Sequence, residues 1–253
     1  MPKILFLGQK PVGEKCFQAL LDHEGETLEV CAVCSNTSTN NWWGTANIYH
    51  KATMQDMQFI SNDGFPKQAI KDIILKHNID TIISVQHPHI ITPDVLEAIK
   101  YNAYGLHLAK LPEYKGYNAA NFAILNGDRY FFATIHKIAD VVDSGNIVAE
   151  QSFPVDNNDT ALSLYKKSEE VAIVMFEQFV EHTLFLGQLE GRQQKGKSCY
   201  HKHGSLDAVR EIKDISDPTE IDRKARALYF PPFEPAYFKI GEKKYYVLPQ
   251  WEK

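Results

Sequence analysis

Two periods alternate along the first two thirds of the chain. Lys3 to Leu7 is a continuous apolar run closed by Gly8, which predicts a strand buried on both faces, and Val12 to Leu21 then returns its apolar residues at helical spacing. Leu28 to Ser35 predicts a second strand, followed by a long polar loop from Asn36 to Thr45 that holds Trp42 and Trp43. Pro66 to His77 places Ile70, Ile73, Ile74 and His77 on one helical face with Asn78 as a stop, and Ile79 to Val85 is a β-branched strand. Thr92-Pro93-Asp94 predicts a helix start, a capping hydroxyl followed by Pro at the first helical position. Next come a short segment at Tyr104 to His107, a helix from Tyr117 to Asn126 closed by Gly127, and strands at Phe131 to Ile138 and Ile147 to Phe153. From Asp159 to Leu186 a long helix carries Ala161, Tyr165, Ala172, Met175, Phe176, Phe179 and Thr183 on one stripe, with Gly187 at its end. A basic loop, a charged helix from Pro218 to Ala227 and an aromatic tail complete the chain.

Strands alternating with helices predict an α/β fold: a Rossmann-like, mostly parallel sheet with helices on both faces, plus a small C-terminal β-hairpin region. The main domain is expected over residues 1–190 and a short C-terminal region over 191–253. In that region Tyr229, Phe230, Phe233, Tyr237, Phe238, Tyr245, Tyr246 and Trp251 gather, which points to a hairpin used as a homodimer contact.

Composition narrows the class. With 44% hydrophobic and 23% charged residues the chain of 253 is a folded protein, not a disordered one. A net charge of −5 argues against nucleic acid as a partner, and the apolar run at the N-terminus is far shorter than the ~20 residues that span a bilayer. Four cysteines without a regular framework fit a reducing, cytoplasmic setting. Cys31 and Cys34 form a C-x-x-C inside a strand, where strict alternation sends them to opposite faces.

Ligands of open α/β sheets bind beyond the carboxyl ends of the strands, so the loops after Val85, after Leu106 and after Ile138 are where chemistry is expected. All three regions hold histidine: His87 and His89, His107, and His136 followed by Asp140 and Asp143. After the first strand the chain reads Gly8-Gln-Lys-Pro-Val-Gly13, neither a dinucleotide fingerprint nor a phosphate loop, which disfavours NAD and ATP. A covalent nucleophile is also unsupported, leaving acid–base or metal chemistry.

The run Gly105-Leu-His107-Leu-Ala-Lys-Leu111-Pro112-Glu-Tyr114-Lys-Gly116, with His136-Lys-Ile-Ala-Asp-Val-Val-Asp143-Ser-Gly145-Asn-Ile147 after it, resembles the formyltransferases that use N10-formyltetrahydrofolate. The resemblance extends from Lys3 to about Phe153. The stretch Arg226-Ala-Leu-Tyr-Phe-Pro-Pro-Phe-Glu-Pro-Ala236 is similar to the start of the C-terminal region in the subgroup that formylates nucleotide-linked amino sugars.

The resemblance implies N10-formyltetrahydrofolate as co-substrate, no metal, and a nucleotide-linked amino sugar as acceptor. His107 and Asp143 match the family's catalytic histidine and aspartate. The loops holding Gln86, His87, Pro88, His89 and Ile90, and Ile138 and Asp140, match those that hold the pterin. Lys115 stands where the family has Arg, and with Tyr114, Gly116, Asn118 and Trp42 it is expected to meet the nucleotide. His136 shares a strand face with Phe132, Thr134 and Ile138, so it is expected to be more structural than catalytic.

Two departures stand out. Gly105 replaces the family's catalytic Asn, and Leu108 and Ala109 replace its usual Ser position. Asn102, Asn118, Asn121, Gln86 or a backbone N–H are the available substitutes for the lost donor. Three other readings stay open: a zinc-dependent deacetylase or amidohydrolase built on the same histidines, a formyltransferase acting on glycinamide ribonucleotide or methionyl-tRNA, and a non-catalytic binding protein.

Overall fold

β1 (Lys3–Gly8) shows how the fold begins. Its alternate residues feed two cores: Ile4 and Phe6 pack with Phe17, Leu20, Phe176 and Phe179 on one face, and Leu5 and Leu7 with Ile70, Ile74, Val95 and Leu96 on the other. A strand apolar at every position therefore sits mid-sheet, covered on both sides, with each large side chain contributing about 1.5–3 kcal/mol of burial. In the computed structural model, residues 1–37, 41–44, 46–62, 66–184 and 189–250 are described. Gly187 and Trp251, Leu186 and parts of the 36–45 loop lie outside them.

The remaining elements are α1 (Lys10–Leu21), β2 (Glu29–Ser35), α2 (Ile48–Met54), β3 (Gln58–Ser61), α3 (Lys67–His77), β4 (Thr81–Val85), α4 (Pro93–Ala98), β5 (Ala103–His107) and β6 (Lys115–Gly116). They continue with α5 (Ala119–Asn126), β7 (Tyr130–Lys137), β8 (Ile147–Pro154), α6 (Ala161–His182), β9 (Tyr200–His201), α7 (Pro218–Ala227), β10 (Ala236–Ile240) and β11 (Lys243–Val247). One seven-stranded sheet has the order β3-β2-β1-β4-β5-β7-β8. Strands β1 to β5 are mutually parallel where they pair, whereas β5–β7 and β7–β8 are antiparallel. The order reverses between β1 and β4, the switch point at which loops splay apart and leave a crevice.

Helices α1 and α6 cover one face and α3 and α4 the other, as the alternation predicts. Asn78 ends α3 in the left-handed conformation (φ 53°), and Gly127 ends α5 in the same way (φ 73°). Among the described residues no helix is long and apolar enough to cross a membrane.

Two expectations change. Thr92 does precede α4, but its hydroxyl donates to Asp94 Oδ1 at 2.7 Å instead of capping the helix; Lys67 and Lys71 ion-pair with the same carboxylate. Cys31 and Cys34 face the same core, because a bulge opposite Ile4 and Leu5 skips Cys31 and resets the alternation. Burial pushes both thiols up to about 12, so they stay protonated at neutral pH.

The 22-residue helix α6 starts on a reciprocal cap, in which Thr160 Oγ1 accepts from Ser163 N–H (3.1 Å) and Ser163 Oγ accepts from Thr160 N–H (3.0 Å). Thr160→Ala is expected to cost about 1 kcal/mol of unfolding free energy in a denaturant titration. The midpoint of thermal unfolding should fall by about 2–4 °C.

Candidate active site

The crevice at the switch point holds a cavity of about 680 Å3. Its walls are the chain after β1 (Gln9, Lys10), the loop after β4 (Gln86 to Ile91), the end of β5 (Gly105 to Leu108), the segment Gly116 to Asn121, and Ile138, Ala139, Val142 and Asp143. Trp42, Trp43, Tyr165, Phe230, Phe233 and Arg210 close it from the helix α6 and C-terminal side.

His107 and Asp143 meet there. His107 Nε2 lies 2.6 Å from Tyr114 O, so this nitrogen carries a proton and donates it to the carbonyl. His107 Nδ1 then faces Asp143 Oδ2 at 3.8 Å. His136 repeats the arrangement, with Nδ1 2.7 Å from Lys137 O and Nε2 3.5 Å from Asp143 Oδ1. Each imidazole thus has one N–H fixed on a backbone carbonyl and its second nitrogen turned to a shared carboxylate. Burial alone would raise the Asp143 carboxyl. The charges of His107 and His136, a hydrogen bond from His136 and the Gly116 N–H (2.8 Å) outweigh it and hold the group well below the usual carboxylate range.

His136 therefore lines the cavity with the other strand-end histidines, in contact with Asp143, and is not merely a residue of the strand face it shares with Phe132, Thr134 and Ile138. β7 runs antiparallel to β5, so its carboxyl end is not at the open edge of the sheet; His136 reaches the cavity because it is paired with Gly105. The missing side chain at 105 is what makes room. A Cβ there would stand 3.1 Å from His136 Nε2 and 3.4 Å from Ile138 Cγ1. The loop after β7 then folds back, and Gln194, from the basic loop, donates to both Asp143 O (2.9 Å) and Gly145 O (2.7 Å).

The other expected residues divide. Gln86, His87, Pro88, His89, Ile90, Ile138, Gly116, Asn118 and Trp42 line the cavity. Burial, then the nearby His89, holds the His87 imidazole down at about 4, and it is neutral at pH 7. His89 Nε2 donates to Asn62 O at 2.8 Å. Asp140, Lys115 and Tyr114 stand outside the lining. Asp140 accepts from Tyr101 OH on the outer surface. Lys115 lies on β6, whose backbone pairs with β9, and Tyr114 is buried with its OH donating to Asp128. Tyr114 serves the site through its carbonyl alone.

Of the donors that might replace the side chain lost at Gly105, Asn102 donates to Asp80 O and Thr81 Oγ1, Asn121 donates to Ala227 O, and Gln86 Oε1 accepts from Lys10. Asn118 lines the cavity from a left-handed position (φ 63°) without capping α5. Lys10, Gln86 and Asp143 are likewise left-handed (φ 66°, 55° and 52°), so four non-glycine residues in this conformation border one cavity. Among the described residues no group of three or more His, Cys, Asp or Glu is placed to share a metal ion.

Two imidazoles around a low carboxylate, in a cavity of about 680 Å3 at the switch point of an α/β sheet, form a site equipped for acid–base chemistry. Residues 2–180 match the formyl transferase domain, and the chain belongs to that family. It is similar to the GDP-perosamine N-formyltransferase of Brucella melitensis biotype 1, at 27% identity over 252 residues, covering 97% of this chain and 92% of that protein. Among solved structures it is similar to a 4-N formyltransferase from Francisella tularensis, with a TM-score of 0.80, 17% identity, and 100% and 98% of the two chains covered. It is also similar to an N-formyltransferase from Helicobacter canadensis in complex with folinic acid and dTDP-3-aminofucose, with a TM-score of 0.75, 22% identity, and 96% and 86% covered. Both share its fold.

Proposed function

We propose that this enzyme transfers a formyl group from N10-formyltetrahydrofolate to the amine of a nucleotide-linked amino deoxysugar, and that it does so in the cytoplasm. The observation that carries the reading is Asp143 held between His107 and His136 at the wall of a cavity lined by two kinds of surface. One is the loop Gln86 to Ile90 with neutral His87 and the open strand floor at Gly105; the other is the ring cluster of Trp42, Tyr165, Phe230 and Phe233. The first suits a flat pterin, since a Cβ at 105 would crowd the floor and Ile90 is 63% exposed as an apolar surface. Gln86 to Ile90 and Ile138 would hold the co-substrate, which supplies a formyl carbon bound to a nitrogen leaving group. Trp42, Gly116 and Asn118 would border the sugar nucleotide.

The residues of the chain then divide the work. The attacking amine must be neutral, and it must lose a proton as its new bond to carbon forms. His107 accepts that proton at Nδ1, because its Nε2–H is already fixed on Tyr114 O. Asp143 keeps the ring oriented and stabilises the imidazolium, as its low pKa demands. The carbonyl oxygen gains negative charge, which the Asn118 amide lining the cavity would meet; as that charge collapses, the bond from carbon to N10 breaks, and N10 takes the proton from His107 and leaves as tetrahydrofolate.

The reading is tested with N10-formyltetrahydrofolate and a panel of UDP-, dTDP- and GDP-linked amino sugars, the last because a GDP-perosamine enzyme is among the relatives. Formylation of at least one sugar, without added metal, is expected. Glycinamide ribonucleotide accepted in place of every sugar would overturn the acceptor class.

The working unit is proposed to be a homodimer joined through the hairpin β10–β11. Ile240, Tyr246 and Leu248 are 61%, 56% and 49% exposed there, more apolar surface than so short a hairpin buries by itself.

A further inference from the structure

Lys10 is the first residue of α1, and its ammonium reaches the cavity through a cage of rings. Nζ lies 5.5, 5.6 and 5.9 Å from the ring centres of Trp42, Trp43 and Tyr165 and donates to Gln86 Oε1 at 2.8 Å. Aromatic faces attract a cation but offer its N–H groups little hydrogen-bonding, so one of three donors has a conventional acceptor. Among the described residues Lys10 has no ion-pair partner. Burial pulls it down to about 8, against the raising charge of Glu169, whose own carboxyl is raised by burial.

The other cavity cation is not available in the same way. Arg210 donates through Nε to Asp207 Oδ1 at 3.1 Å and through Nη1 to the Glu234 carbonyl. Lys115 stands outside the lining. A desolvated ammonium with donors to spare and, among the described residues, no carboxylate within ion-pair distance, Glu169 acting on it only from farther off, is a place for an anion. Beside it α1 opens with no acidic residue in its first turn and no side-chain cap, so the helix dipole adds to the same attraction. The rings supply the second half of a recognition site: Trp42 meets Phe230 at 5.0 Å and Phe233 at 5.9 Å, and Phe233 keeps half its surface exposed.

We propose that Lys10 is the phosphate anchor of the acceptor site, binding the diphosphate of a nucleoside diphosphate whose base lies on the Trp42, Phe230 and Phe233 rings. The inference rests on the nucleotide-sugar reading above, and it moves the diphosphate from Lys115 to the loop after β1. An anion bound at Nζ holds the proton on, so affinity is full below the Lys10 pKa and falls as pH rises through about 8.

Titration calorimetry with dTDP, UDP and GDP, and separately with folinic acid, tests this on the full-length protein and on Lys10→Met, Lys10→Arg and Lys115→Ala. For the best nucleotide, Lys10→Met should raise Kd at least tenfold while the Kd for folinic acid changes by less than twofold. Lys115→Ala should leave both within twofold. Wild-type nucleotide affinity should drop between pH 7 and pH 9, and Lys10→Arg should bind without that drop because guanidinium stays charged. Equal nucleotide binding by Lys10→Met and wild type would overturn the anchor alone. So would a loss of folinic acid binding in its place, which assigns the cation to the co-substrate. Failure of wild type to bind any of the three nucleotides, with folinic acid still bound, would overturn the acceptor reading itself and the anchor with it.

Discussion

Asp143→Asn and His107→Asn are each expected to lower kcat by two to three orders of magnitude and to leave the fold intact. The amine proton and the oxygen charge must be managed at one carbon, and general base and oriented-donor effects of this kind are each worth about 10²–10⁴ in rate. An amide at 143 keeps the shape but loses the charge that both imidazoles face at 3.8 and 3.5 Å. Single-turnover rates with saturating co-substrate separate chemistry from binding. Near-normal turnover in either variant would remove that residue from the mechanism. The pH profile adds a second check. Asp143 sits below the ordinary carboxylate range in the folded state, so it stays ionised through any usual assay, and the acid limb of the rate cannot be its titration. The same sign governs stability: a depressed carboxyl stabilises the fold above the unfolded pKa of ~3.9 and loses that contribution as pH falls toward its folded value. The stability gap between wild type and Asp143→Asn should therefore narrow from pH 5 to pH 2.

Gly145→Ala should do more damage than its chemistry suggests. A Cβ at 145 would stand 1.9 Å from Lys137 O and 2.7 Å from Lys137 C, both backbone atoms that cannot swing aside. Lys137 N–H donates to Asn146 O at 2.8 Å, and Gln194 holds Gly145 O, so the loop must open at both attachments. A loss of about 3 kcal/mol in unfolding free energy is expected, together with an activity loss on the scale of Asp143→Asn, since Asp143 is carried on the same loop. Gly127→Ala is the control. Unlike Gly145 it has a left-handed φ (73°), foreign to alanine, but nothing lies within 4 Å of the added carbon, so it should cost about 1–2 kcal/mol and spare turnover.

How the site was read from sequence depends on which signals are local. Apolar runs and helical spacing placed nearly every helix and strand of the large sheet, and the resemblance of their motifs to the formyltransferases singled out His107 and Asp143, which the fold brings together. The directions of β7 and β8 were less plain, though a cue existed. Only nine residues separate them (138–146), too few for the dozen or more of a parallel crossover, so the pair had to be antiparallel. It is the separate antiparallel pairing of β7 with β5 that brings His136 opposite Gly105. α2 and β3 went unread because Ile48–Met54 and Gln58–Ser61 are short and half polar. Lys10 and Gln194 left no periodic trace at all: one is a lone cation between Gly8 and Pro11, the other a polar residue in a basic stretch, and each acquires its role through contacts 49 to 76 positions away.

The four left-handed residues at the cavity rim have a consequence for how the protein tolerates heat. Lys10, Gln86, Asn118 and Asp143 each hold a backbone shape that costs an L-residue of order 1 kcal/mol, and the neighbouring core supplies the difference. Selection for thermal endurance would find its easiest gains by relaxing these positions. Each relaxation would take a side chain away from the cavity, so durability and catalytic skill in this enzyme compete for the same few peptide units.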